Sequence, residues 1–197
     1  MSDDFPIQNE SELRKYFDRH DPLTYAANRR GLQEEFLKIQ EGRYGIGESH
    51  ALFFVDLDHF KESNDLYGMH GGDQILIEVA QRLRIAIHPG GTVGRIGADQ
   101  FVCLIPTIGI ANDVKVLAER LLDKFKTPFP IVLRTESIEV KHLASLGVIV
   151  WNSSTVELHT LMGSANQSQI EARSQSEGQC VIREWDEGHR PDGSFLE

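Results

Sequence analysis

Ala51-Leu52-Phe53-Phe54-Val55-Asp56-Leu57-Asp58 is the stretch on which the fold turns. Five apolar residues in succession leave no hydrophilic face, and the run is too short for a membrane helix. It reads as a strand buried on both faces and closed by Asp56. Downstream, Gly71-Gly72-Asp73 opens a helix in which Ile75, Leu76, Val79, Ala80, Leu83, Ala86 and Ile87 recur at helical spacing, and His88-Pro89-Gly90-Gly91 stops it. Two short strand-like runs, 92–96 and 101–105, flank Gly97-Ala98-Asp99-Gln100 as a hairpin. Next comes an amphipathic helix carrying Val114, Leu117, Ala118, Leu121, Leu122 and Phe125, ending at Pro128. A strand pair over 131–140 and 143–151 follows.

The order strand, helix, strand, strand, helix, strand defines an α+β class, a ferredoxin-like, palm-type βαββαβ core with helices flanking a largely antiparallel sheet. This topology sets the first strand beside the third, so the hairpin turn falls at the carboxyl end of the first. Asp56 and Asp99 then meet at one sheet edge. Paired carboxylates there suit Mg²⁺, which takes oxygen ligands and keeps waters for a phosphate-bearing partner. Spacing alone favours aspartates that merely cap a strand or form a turn.

Further out, residues 11–17 show a short helical pattern broken at Asp21-Pro22, and a second helix spans 28–40 with Leu32, Phe36 and Ile39 on one face. Ser154 and Glu157 have capping-box spacing for a last helix. The Asn166-Gln167-Ser168-Gln169 run is an odd composition for a packed face, and Cys180-Val181-Ile182 reads as a closing strand. We expect a helical extension or linker over 1–20, one domain over 21–184, and a polar tail over 185–197 that is disordered or, at Leu196-Glu197, left by cloning.

Composition narrows the function. The chain has 197 residues, 40% of them hydrophobic, which suits one domain with a real core. Thirty acidic against twenty basic residues give a net charge of −10, which argues against nucleic acid and anionic membranes as partners. Cys103 and Cys180 lie far apart in apolar stretches and read as core residues of a reducing compartment. With no apolar run near ~20 residues and an acidic, polar N-terminus unlike a signal peptide, the expected location is cytoplasmic. Phe60 and Lys61 rule out an EF-hand at Asp56-x-Asp58. The glycines from 68 to 72 lack the Gly-Lys-Ser/Thr ending of a phosphate loop. Zinc spacings and a nucleophile elbow are absent from the sequence.

The block from Asp56 to Gly68 (Asp-Leu-Asp-His-Phe-Lys-Glu-Ser-Asn-Asp-Leu-Tyr-Gly), with Gly72-Asp73 and Arg95-Ile96-Gly97-Ala98-Asp99-Gln100-Phe101, resembles the GGDEF domain family. Its members are typically diguanylate cyclases, which condense two GTP into cyclic di-GMP. Asp21-Pro22-Leu23-Thr24 with Asn28-Arg29-Arg30 resembles the family's upstream motif, and Ser145-Leu146-Gly147 its late Ser-x-Gly strand. The match runs from about Asp21 to Ile182.

The resemblance implies roles. Asp56 and Asp99 would ligate Mg²⁺ (or Mn²⁺) with the Leu57 carbonyl, and with Lys61 would form the catalytic set. Asn64 and Asp73 would read guanine. Lys61 and the amides of His59 and Phe60 would hold terminal phosphates. Gly97 and Ala98 would lie against the nucleotide, and Arg173 would bind phosphate. One domain would hold one GTP, so a homodimer is implied, and an adjacent sensory or EAL domain is a common pairing in the family.

The departures from the family are as specific. The signature reads Gly-Ala-Asp-Gln-Phe, so Ala98 adds a methyl and Gln100 replaces a carboxylate. Arg173 replaces a lysine, Met69 a histidine, and the late helix has lost its apolar docking residues. The family's product-inhibition pair would fall at His88 and Gly91 and is missing, so feedback inhibition there is not expected. Two readings follow: a weak cyclase, or an inactive domain that binds GTP and regulates or dimerises. With a chain this acidic, Asp56 and Asp99 with their metal, Lys61, Arg95 and Arg173 would have to offset the triphosphate locally.

Overall fold

A computed structural model of the chain describes residues 9–45, 48–87, 90–108, 111–134, 136–152 and 155–185. Helices α1 (Glu10–Phe17) and α2 (Arg29–Gln40) lead into strand β1 (His50–Leu57) and helix α3 (Phe60–Ile87). Strands β2 (Thr92–Arg95) and β3 (Gln100–Ile105), helix α4 (Ala111–Lys126), and strands β4 (Phe129–Leu133), β5 (Glu136–Val140) and β6 (Ala144–Trp151) follow. Helix α5 (Leu158–Gln175) and strand β7 (Cys180–Glu184) complete the order. The main sheet runs β2-β3-β1-β6-β7. β1 is antiparallel to both β3 and β6, and β7 joins parallel to β6. This is the expected α+β core with one strand added at its edge.

β1 sits at the centre, every residue buried. Its alternation sorts the two cores. Ala51, Phe53, Val55 and Leu57 join α3 and α4 on one face, while Leu52 and Phe54 meet α2 and α5 on the other. Asp56 shares the parity of Leu52 and Phe54, so its carboxylate faces the layer that holds α5. Among the described residues no helix is long and apolar enough to cross a membrane.

Several expectations need correction. The second strand pair does not form as read: β4 and β5 pair with each other as a separate two-stranded sheet, and 144–151 pairs with β1 instead. Alternation cannot tell a hairpin partner from a distant one. Helix α3 begins at Phe60 rather than Gly71, with a break at Gly68 (φ 72°, ψ 171°), a backbone state open almost only to glycine. Glu157 caps α5 without a side-chain hydrogen bond, and Ser154 lies outside the described residues, as do His88 and the 186–197 part of the tail.

The polar run of α5 is packed after all. Ala165, Ser168, Gln169 and Ala172 form a buried stripe on the sheet. The helix docks through small and polar residues over a glycine, so large apolar side chains are not needed there. Sequence reading also overlooked Arg82, whose guanidinium donates to the carbonyls of Lys124 (2.8 Å), Thr127 (2.5 Å) and Pro128 (2.6 Å) over the Phe129 ring. It satisfies carbonyls at and just beyond the end of α4.

Two buried histidines contribute to the pH dependence of stability. His50 bonds the Pro106 carbonyl, and His142 Nε2 lies 2.7 Å from Ser63 Oγ. Burial holds both imidazoles below the usual histidine pKa. The folded protein therefore binds fewer protons than the unfolded chain just below the ordinary value of about 6.5. Their contribution is present above that pH and is lost as pH falls through the folded-state values. Urea midpoints should drop between pH 7.5 and 5.5, and His142→Gln should flatten that slope; an unchanged slope would contradict the assignment.

Candidate functional site

The site is built at the carboxyl end of β1. The β1–β3 register sets Asp56 opposite Gln100. The Leu57 amide donates to the Asp99 carbonyl (3.3 Å), and the Ile96 amide to that of Gln100 (3.0 Å), closing the hairpin. Asp99 therefore stands beside the Asp56–Leu57 strand end, as the topology requires. The Asp56 side chain is only 10% exposed. Arg173 Nη1 donates to its Oδ1 at 2.7 Å, and Gln100 Nε2 to its Oδ2 at 3.3 Å. Burial, then the nearby Asp99 charge, raises the Asp56 pKa, and the Gln100 hydrogen bond and Arg173 oppose this only in part.

Asp58, to which the sequence assigned no role, is the most buried charge of the site at 1% side-chain exposure. It accepts from Ser145 Oγ (3.0 and 3.1 Å), from the Gly178 amide (3.1 Å), and faces Arg173 Nε at 3.3 Å. One carboxylate thus ties the end of β1 to β6, to the α5–β7 turn and to α5. The signal was present in the Asp56-x-Asp58 spacing, but nothing in sequence links it to Ser145 and Gly178.

His59 adopts a left-handed backbone (φ 58°) at the start of α3. Its ring bonds Glu62 (2.7 Å) and Glu177 (2.9 Å), and these two hydrogen bonds push its pKa up. Phe60 is buried, whereas Lys61 is exposed with no ion pair among the described residues. A helix start leaves backbone amides unpaired, and here they belong to this same edge. Asn64 lies farther along α3, where a Cβ at Gly72 would stand 1.9 Å from its Oδ1. The Gly68 break thus folds Asn64 against Gly72, and brings the half-exposed Asp73 next to it in the chain.

A Cβ at Gly97 would stand 2.7 Å from Gln100 Oε1, so the close approach there is made by Gln100 on its way to Asp56. Ala98 is exposed. Arg95 is not free for phosphate: it pairs with Asp21 (3.2 Å) and donates to the carbonyls of Gly97 (3.2 Å) and Ala98 (2.8 Å). Burial alone would raise the Asp21 pKa, but hydrogen bonds from Thr24 and the charge of Arg95 hold it below the usual range. Asn28 caps α2 through the amides of Arg30 and Gly31, and Arg29 reaches the Ile96 carbonyl (3.0 Å). The upstream motif is a brace for the hairpin.

Asp56, Asp99, Arg173 and the start of α3 therefore share one edge, with Asn64 and Asp73 along the helix. Among the described residues no three His, Cys, Asp or Glu side chains are grouped to hold a metal by themselves. Two carboxylates fit a hard cation that completes its shell with water and phosphate oxygens.

A family model described as diguanylate cyclase, GGDEF domain, matches residues 18–179. The chain is 35% identical over 164 residues to the bifunctional diguanylate cyclase/cyclic di-GMP phosphodiesterase MucR of Pseudomonas aeruginosa, covering 83% of this chain and 23% of that protein. It is 32% identical over 147 residues to the cyclic di-GMP phosphodiesterase NbdA of the same organism, covering 75% and 18%. It thus spans about a fifth of the length of these curated relatives. Among solved structures, the diguanylate cyclase SiaD of Pseudomonas aeruginosa, in complex with its activator SiaC, superposes with a TM-score of 0.73. Identity there is 27%, over 88% of this chain and 66% of that one.

Proposed function

The chain belongs to the GGDEF domain family, and on that premise we propose that it binds GTP with Mg²⁺ (or Mn²⁺) and slowly joins two GTP into cyclic di-GMP, releasing two pyrophosphates. The observation that carries this is the proximity of Asp56 and Asp99 at the β1 end, beside the exposed Lys61 and the start of α3. The bound metal supplies charge stabilisation at the phosphates. Asp56 and Asp99 hold it, with the Leu57 carbonyl. The amides of His59 and Phe60, with Lys61, orient the terminal phosphates, and Arg173 adds a second positive group. Asn64 and Asp73 read guanine, an amide meeting its acceptor and a carboxylate its N–H donors.

One domain over 21–184 presents one GTP, so turnover needs a facing second copy to bring a 3′-hydroxyl to the α-phosphate. A second reading rests on a specific observation: Gln100 donates to Asp56 where a carboxylate would add charge. On that reading the domain binds GTP without turnover and regulates or dimerises. Its control target would be a phosphodiesterase (EAL) domain outside the chain, an arrangement supported by relatives named as phosphodiesterases. Both readings share binding and differ in product.

Calorimetry with GTP and Mg²⁺ tests the binding. Asn64→Ala should weaken GTP by roughly 1–3 kcal/mol, the cost of an unpaired polar group. In EDTA the wild type should bind GTP poorly, since its net charge is −10. Equal affinity for the wild type and Asn64→Ala would overturn the guanine assignment.

A further inference from the structure

We propose that Arg173 and Gln100 form a latch on Asp56 that a divalent cation must displace, so that metal entry and nucleotide arrival are coupled; this rests on the reading of that edge as a metal and nucleotide site. Both Asp56 oxygens are engaged, Oδ1 by Arg173 and Oδ2 by Gln100. Arg173 holds a second carboxylate at the same time, Asp58, through Nε at 3.3 Å. Only a guanidinium can present separate nitrogens to two carboxylates in a fixed fork; a lysine would serve as one point charge. Gln100 completes the latch because an amide donates where a carboxylate would repel Asp56. The two departures at positions 100 and 173 thus act on one target.

A latched Asp56 has its charge already met by an internal cation, which lowers the affinity of the empty site for metal. Arriving phosphates give Arg173 another partner, while Asp58, locked by Ser145 and Gly178, keeps a hold on its Nε. Asp56 is then released to the cation. Reciprocity follows: metal on Asp56 frees Arg173 for phosphate, and each ligand raises the affinity of the other.

The test is binding of Mn²⁺ to the purified chain, followed by the electron paramagnetic resonance signal of free ion, with and without a non-hydrolysable GTP analogue. Arg173→Ala should tighten nucleotide-free Mn²⁺ binding by at least about tenfold, the scale of one charge-assisted hydrogen bond. It should also shrink the gain in Mn²⁺ affinity that the analogue produces. Arg173→Lys, which keeps a charge and should fold alike, should fall between. If both variants bind Mn²⁺ no tighter than the wild type while Asp56→Asn abolishes binding, the latch is overturned and the metal site stands. If no variant binds Mn²⁺ even with the analogue, the metal reading falls and the latch with it.

Discussion

Gly147→Ala is expected to destabilise the fold by about 3 kcal/mol or more, the upper range for overpacking, because the clash is with backbone. A Cβ at this position would stand 1.9 Å from the Ala165 carbonyl oxygen and 2.3 Å from the Gln169 amide nitrogen. Neither atom can rotate aside as a side chain would. Gly147 shares its strand parity with Ser145, Ile149 and Trp151, the face of β6 that α5 covers, and the helix settles on it through Ala165, Ser168 and Ala172. Any relief must move α5 off the sheet, which carries Arg173 away from Asp56. Urea unfolding of the variant should show a much lower midpoint, and a change under 1 kcal/mol would contradict this packing.

Asp58→Ala is the second large effect, a loss of about 2–4 kcal/mol, because two donors lose their acceptor at about 1–3 kcal/mol each while Arg173, 39% exposed, keeps Asp56 and solvent. The substitution strands the Ser145 hydroxyl and the Gly178 amide, and deprives Arg173 of one of its two carboxylates. Ser145→Ala removes a single donor and should cost only about 1 kcal/mol. The ratio of the two distinguishes a hub from an ordinary hydrogen bond. Equal, small losses for both would show that Asp58 organises nothing.

The architecture was legible where local pattern and topology agreed. The apolar run of β1, the periodicity of α3 after Gly71 and the hairpin around Asp99 all carry their structure in their own residues. From that order alone Asp56 and Asp99 were expected at one edge, and the register bears out this proximity. The misreadings concern partners distant in sequence. The strand over 136–140 alternates as well with one neighbour as another, so its pairing with β4 rather than β6 had no local signal. Helix α5 defied expectation because its docking depends on Gly147, 18 residues before Ala165, rather than on its own apolar content. Asp58 and Arg95 have the same cause: each has a partner far along the chain, Ser145 and Gly178 for Asp58 and Asp21 for Arg95. Arg95 was expected to face phosphate, yet Asp21, 74 positions earlier, holds it against the hairpin.

The measurement that bears most directly on the function proposed is turnover of GTP by the chain at high concentration with Mg²⁺, following cyclic di-GMP and pyrophosphate together. The account predicts slow formation of both, in a ratio of one cyclic dinucleotide to two pyrophosphates, rising more than linearly with protein concentration because two copies must meet. Asp99→Ala should abolish it, since the metal would lose one of its two carboxylates. GTP binding without any cyclic di-GMP, even when dimers are enforced, would contradict the cyclase reading and leave the regulatory one.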